Sequence, residues 1–332
     1  MADRPGPLPT SIAGAGAPEI LSDKRLELAA RAAWLYHAKG QRQEDIARTL
    51  GLSRQVVQRL ITTAAAEKLI RFQLLHPLAS CIALADQLTD RFHLASVEVV
   101  PSVDDRRENV SSIADAAACS LETLLLKTDP VIVGIGGQRV IRDATLRVAS
   151  MYRPMHRLVS LMGNMTREGR ASHYDSIMGL ANRVGAQCYP LPMPVVAESI
   201  EAKRVLQAQP AYRLCAALVG DADLLMTGIG YFDGAAPLLR DGFVTEPELM
   251  RALQLGAVGE IRGYCFDAEG RIVDAPHHAR LTSFPLTVPA AARTIIVQCG
   301  ARRVPALRAA LQGSLANGLI TDEETAQLLL EP

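Results

Sequence analysis

Six polar side chains crowd one 17-residue stretch: Gln43, Ser53, Arg54, Gln55, Gln58 and Arg59. Arginine and glutamine carry paired donors and acceptors that match guanine and adenine edges in a major groove, and serine and arginine reach phosphate oxygens. Gln55 and Gln58 are the candidates for base edges, and Ser53, Arg54 and Arg59 for phosphates or bases. Gln43 is placed to meet a phosphate at the start of its helix. Between residues 24 and 71, ten basic side chains stand against four acidic ones, a net of +6 in a chain of formal net charge +0. The remainder therefore carries −6. That asymmetry points to a polyanion partner for the N-terminal fifth, although a solvated basic face with no partner gives the same balance.

The elements needed to present those side chains are legible around them. Leu28, Ala32, Leu35 and Tyr36 recur at helical spacing over 26–38, and Gly40 ends the run. A second helix is expected over 43–50, with Ile46, Ala47 and Leu50 inward, broken at Gly51. Ser53 is placed to cap a third helix over 54–66, whose apolar stripe is Val56, Val57, Leu60 and Ile61. Helix, glycine turn and a helix opening on Ser-Arg make a helix-turn-helix. The alternation in IRFQLL at 70–75 predicts a short strand, and with it a wing. Double-stranded DNA is thus the expected partner of residues 23–76. Residues 1–22 have the composition of a disordered leader, and 77–95 form a linker helix placed to serve in dimerisation.

A second set of candidates lies further on. The apolar run Val131 to Ile135 leads through Gly134, Gly136 and Gly137 to Gln138 and Arg139 at the start of a helix. Such a turn points backbone amides and a helix N-terminus at an anion, although a tight turn with no ligand uses the same glycines. Asn164 follows the strand expected at 158–161, and His173 and Asp175 open the next helix. His277 and His278 suggest a metal, but no cysteine or carboxylate stands at ligand spacing beside them, so neither metal nor cofactor is expected. Strands expected at 96–100, 131–135, 158–161, 187–191, 224–227, around 282–283 and at 294–298 alternate with helices at 108–126, 139–149, 174–184, 201–207, 211–219 and 303–312. That alternation is the pattern of a doubly wound α/β sheet.

Behind the helix-turn-helix come VIVGIGG, ANRVGAQCYPLPMP, DADLLMTGIGYF, GAVGEIRGYCFDAEGRIVD and ALRAALQGSLANGLITDEETAQLLL, in that order. This succession, over about residues 25–330, resembles the SorC/DeoR group of sugar-binding bacterial regulators. The resemblance implies that 96–332 form a Rossmann-like effector domain related in fold to sugar-phosphate isomerases and glucosamine-phosphate deaminases. It further implies a sugar, polyol or phosphosugar effector, a homodimer or homotetramer, and a DNA operator controlling carbohydrate catabolism. Glu260 and Asp267 fall in its motif block as pocket or structural carboxylates, Asp267 reading as a turn residue, and Arg303 stands where the group has lysine. The group usually has tryptophan and hydroxyl residues about the glycine turn, where this chain has Gln138 and Arg139. Loss of the hydroxyls weakens the phosphate reading and Arg139 restores a charge, so phosphosugar and plain sugar or polyol both stay open.

The same fold hosts enzymes. No base, acid and activated nucleophile assemble from one region of this sequence, so a non-catalytic protein is expected. Six scattered cysteines without a CxxC read as reduced core residues. With no N-terminal apolar segment and no run of 18 apolar residues, a soluble cytoplasmic protein without a membrane partner is expected.

Overall fold

The computed structural model describes residues 24–67, 69–70, 79–102, 106–173, 175–232 and 236–332. The expected leader at 1–22 lies outside these residues, as do positions 71–75 of the expected wing. The chain divides into two compact units, Met1–His76 and Pro77–Pro332.

The first unit contains α1 (Lys24–His37), α2 (Gln43–Leu50) and α3 (Arg54–Ala66). Small residues let these helices approach closely: Ala29, Ala32 and Ala33 of α1 pack with Ile46 and Ala47 of α2 and with Val57, Leu60 and Ala64 of α3. The inward stripes are those expected, except that Leu28, Leu50, Val56 and Ile61 are half-buried at the margin and Tyr36 is exposed. Gly51 ends α2 at φ 66°, a left-handed conformation that glycine adopts without strain, and it turns the chain into α3. Ser53 Oγ then accepts from the Val56 N–H at 3.4 Å and caps α3.

The second unit opens with α4 (Ala79–Phe92), β1 (Ser96–Val100), α5 (Arg106–Leu125) and β2 (Ile132–Ile135). Then follow α6 (Arg139–Arg147), β3 (Arg157–Ser160), α7 (Ile177–Val184) and β4 (Gln187–Tyr189). Next come α8 (Ile200–Gln207), α9 (Pro210–Gly220), β5 (Leu224–Thr227) and β6 (Gly230–Tyr231). The chain continues through α10 (Pro237–Arg240), α11 (Glu246–Gln254), β7 (Gly259–Ile261) and β8 (Tyr264–Phe266). It ends with β9 (Thr294–Val297), α12 (Val304–Gln312), β10 (Gly318–Asp322) and α13 (Glu323–Leu330).

Seven strands form one parallel sheet in the order β1-β10-β9-β5-β2-β3-β4. Every residue of β5, β9 and β10 is buried, because helices cover both faces of such a sheet. From β2 the chain winds one way through β3 and β4, and the other way through β5, β9 and β10. The winding reverses between β2 and β5, and the crevice at the carboxyl ends of strands beside such a reversal is where open α/β sheets bind ligands. A small antiparallel sheet, β6-β7-β8, stands beside the large one.

Several expectations change. The linker helix is α4, and it is built into the second unit: Cys81, Leu88 and Phe92 are buried with Leu94, Val99 and Leu329. Residues 282–283 form no strand; Leu281 makes one isolated bridge to Val196, and Thr282 Oγ1 donates to the Pro194 carbonyl at 2.6 Å. Thr282 and Ser283 are both polar and fully buried without pairing into a sheet. The helix expected from 174 begins at Ile177. The LITDEETA segment, read as a motif, holds strand β10 between β1 and β9 and the helix cap Asp322, whose Oδ1 accepts from the Thr325 N–H at 3.0 Å.

Candidate functional site

On α3 the residues Arg54, Gln55, Gln58, Arg59 and Thr62 are exposed, opposite the buried Val57, Leu60 and Ala64. Gln55, Gln58, Arg59 and Thr62 fall at i, i+3, i+4 and i+7, one face of the helix. Arg54 Nη1 lies 3.3 Å from Glu44 Oε1 on α2, an exposed pair worth little to stability but able to hold the guanidinium beside the exposed face of α3. Gln43 is the first residue of α2 and is half-buried.

In the second unit, a cleft is lined by Gly136 and Gly137 after β2, Ser160 and Asn164 around the end of β3, and Ser172, Asp175 and Ser176 before α7. Gly136 is required by close approach: a Cβ there would lie 2.7 Å from Thr227 Oγ1 and 3.2 Å from Thr227 Cα. Asn164 Nδ2 donates to Asp175 Oδ2 at 2.7 Å, drawing the two sides of the cleft together. Asn164 Oδ1 and Ser176 Oγ are buried and have no hydrogen-bond partner among the described residues. Buried polar atoms are nearly always paired, so two unpaired ones in one cleft suit a ligand rich in hydroxyls. The cleft encloses only about 10 Å³, the space of about one water.

Beside the cleft, Gln138 occupies the N-cap position of α6 without a side-chain cap bond, and its Nε2 donates to Glu260 Oε1 at 3.1 Å. Glu260 Oε2 accepts from the Gly263 N–H at 2.7 Å. Burial, only partly offset by these donors, raises the Glu260 carboxyl above the ordinary carboxylate range. Arg303 lies with its guanidinium 5.0 Å from the Tyr231 ring centroid, and its Nη1 donates to the Cys299 carbonyl at 2.8 Å. Gln298, following β9, donates from Nε2 to the Ile229 carbonyl at 2.7 Å. The carboxyl ends of β2, β3, β5 and β9 thus carry a continuous set of amide, hydroxyl and guanidinium groups.

The fold also brings Cys265 to the histidine pair, a neighbour that sequence spacing did not reveal. Ligand atoms of Cys265, His277 and His278 lie within 4.8 Å of one another, a donor set that could hold zinc or copper. These groups are also tied to the backbone. His278 Nε2 accepts from the Cys265 N–H at 2.8 Å, and His277 Nε2 lies 2.9 Å from the Gly263 carbonyl. Burial raises the Cys265 thiol and pushes His278 down to about 3.

Residues 76–331 match the model of the Sugar-bind family, described as a sugar-binding domain. The chain is 30% identical to the erythritol catabolism regulatory protein EryD of Brucella abortus over 310 residues, 93% of this chain and 98% of that one. It is 33% identical to the transcriptional regulator LsrR of Enterobacter sp. (strain 638) over 310 residues, 92% and 93% of the two chains.

The chain belongs to the Sugar-bind family of transcriptional regulators.

Its fold is that of the full-length sorbitol operon regulator SorC from Klebsiella pneumoniae, with a TM-score of 0.68 at 22% identity, covering 92% of this chain and 99% of that one. No helix among the described residues is long and apolar enough to cross a membrane.

For this Sugar-bind member the sequence-derived site residues sort as follows. Gly136, Gly137, Asn164 and Asp175 line one cleft, with Gln138 and Glu260 joined beside it. Gly134 does not reach the cleft: it lies within β2, where a Cβ would meet the side chains of Leu161 and Leu225. Arg139 and His173 are exposed and outside the cleft lining, and Arg303 is engaged with Tyr231 and Cys299. Asp267 shapes a turn, its Oδ1 accepting from the Glu269 and Arg271 N–H groups. Ser160, Ser172, Ser176, Gln298 and, on α3, Thr62 went unread. A polar residue closing an apolar strand run marks Ser160 and Gln298, and the i+7 position from Gln55 marks Thr62.

Proposed function

We propose that α3 reads operator DNA through Gln55, Gln58 and Arg59, with Arg54, Ser53 and Gln43 fixing the backbone, and that a small polyhydroxylated effector binds the carboxyl-edge cleft and changes that affinity. The observation carrying the effector reading is the pair of buried atoms without a partner among the described residues, Asn164 Oδ1 and Ser176 Oγ, in a cleft beside the winding reversal. As it stands the cleft holds about one water, so in this reading a sugar binds as the cleft widens and the Asn164–Asp175 bond gives way. The effector therefore favours one arrangement of the second unit over another, and linkage passes that preference to DNA.

The relative named for erythritol catabolism makes a small polyol the first effector to test, with pentose and hexose phosphates beside it. Arg139, exposed at the first residue of α6, is free to reach a phosphate when the cleft opens. Two copies on a two-fold operator give the geometry in which such a change reads out, because half-site spacing fixes the distance between recognition helices. No chemistry on the effector is part of this reading. Thermal-shift screening of the full chain against sugars, polyols and their phosphates tests it, since ligands of the native state raise the melting temperature. Stabilisation by one such compound that also alters DNA affinity supports the reading. Turnover of that compound would replace it with an enzyme.

A further inference from the structure

Arg262 and Gly263 form the two-residue turn between β7 and β8, at φ 55° and 88°. Such turns favour Asn-Gly or Gly-Gly, and an arginine held in the left-handed region is strained. The side chain is also buried, 5% exposed, and its Nε and Nη1 have no hydrogen-bond partner among the described residues. Burial lowers its pKa to about 10. It faces a cavity of about 270 Å³ whose lining contains no carboxylate. The walls are Val219, Leu225, Phe284 and Leu315, with Thr287 and Thr294 as the hydroxyl-bearing residues. This cavity shares no lining residue with the effector cleft, and Gly220 and Ala292, on the segments leading into β5 and β9, help to form it.

A buried guanidinium without a counter-charge is costly, and an anion set against it relieves the cost. One guanidinium balances one negative charge. The apolar walls and two threonines leave a dianion under-solvated, and they suit an apolar body behind the charged group. We propose that this cavity is a second ligand site, for a small organic monocarboxylate whose carboxylate rests on Arg262 and whose apolar body lies among Val219, Leu225, Phe284 and Leu315. The site adds a second input to the regulator, independent of the polyhydroxylated effector.

The test uses the full chain and hexanoate as probe, with hexan-1-ol and hexyl phosphate as comparisons, read by calorimetric titration and melting temperature. Hexanoate should bind saturably and raise the melting temperature, with hexan-1-ol and hexyl phosphate at least tenfold weaker. Arg262→Met, which removes the buried charge, should weaken hexanoate binding at least tenfold, and Arg262→Lys should retain part of it. Equal binding of hexan-1-ol, a preference for hexyl phosphate, or hexanoate binding unchanged in Arg262→Met would overturn the proposal. Should Arg262→Met fail to fold, the alcohol comparison and Arg262→Lys decide between the same outcomes.

Discussion

Gln138 and Glu260, 122 residues apart, are joined by one hydrogen bond of 3.1 Å that ties the glycine turn after β2 to the small antiparallel sheet. The turn beside the cleft is therefore held by a residue from a different sheet. Glu260→Ala leaves the buried Gly263 N–H without its acceptor and should cost about 1–3 kcal/mol by denaturant unfolding. Glu260→Gln keeps an acceptor for Gly263 and can meet a turned Gln138 amide, so it should cost under about 1 kcal/mol. Equal losses would show that the carboxyl is not acting through these bonds.

Gly136→Ala places a Cβ 2.7 Å from Thr227 Oγ1, at the junction of β2 and β5. The expected result is a loss of about 1–3 kcal/mol and a blunted effector response, with DNA binding retained at temperatures below the melting transition. Melting curves and effector titrations on the same preparation measure both. An unchanged effector response in a folded Gly136→Ala protein would move the effector away from this cleft.

Much of this was legible in the sequence, for physical reasons that differ by region. Helix α3 was read from local rules: Ser53 caps, Gly51 turns, and the apolar period of 3.6 fixes which face is outside. The positions of Gln138, Asn164 and Asp175 at or beside the cleft were legible because a glycine turn, a strand end and a helix start mark the carboxyl edge of a sheet. The partnership of Gln138 with Glu260 was not readable, since a non-local hydrogen bond leaves no spacing behind. The same holds for Cys265 beside His277 and His278. Strand β10 was missed because LITD, with a helix cap at its end, reads as easily as a turn leading into a helix. Thr282 and Ser283 failed in the opposite direction: burial alone looked like a strand.

The exposed ion pair of Arg54 with Glu44 gives a prediction about salt. Arg54→Ala should weaken DNA binding and reduce the magnitude of the slope of log K against log salt by about 1. Glu44→Gln should raise affinity, because it removes a negative charge and releases Arg54. Both should change stability by less than about 1 kcal/mol. Anisotropy titrations over a range of salt concentrations separate these effects from misfolding.

Gln55→Ala and Gln58→Ala should relax discrimination at single operator positions by about 1–3 kcal/mol each. Arg59→Ala, if it contacts phosphate, should weaken all sequences alike. Selection of bound sequences from a random duplex pool distinguishes the two patterns, and a uniform loss in all three variants would remove the glutamines from base contact.

His278 supplies a pH dependence. Its pKa, ordinarily 6.5, is held down to about 3 by burial and by the neighbouring His277. Between those values the unfolded chain binds a proton that the folded chain does not. The stability contributed by neutral His278 is therefore complete above about pH 6.5 and is lost as pH falls toward about 3. His278→Asn should have a lower melting temperature near neutrality and a shallower decline on acidification. Parallel curves for the two proteins would show that His278 is not the group responsible.

The most direct measurement is the affinity of the full chain for a duplex that it has itself selected, with and without a polyol or phosphosugar that raises its melting temperature. A change of at least tenfold, abolished in Asn164→Ala and Gly136→Ala while their DNA binding without effector is kept, is the expected result. An affinity indifferent to every stabilising compound, or a response intact in both variants, would contradict control of DNA binding from the carboxyl-edge cleft.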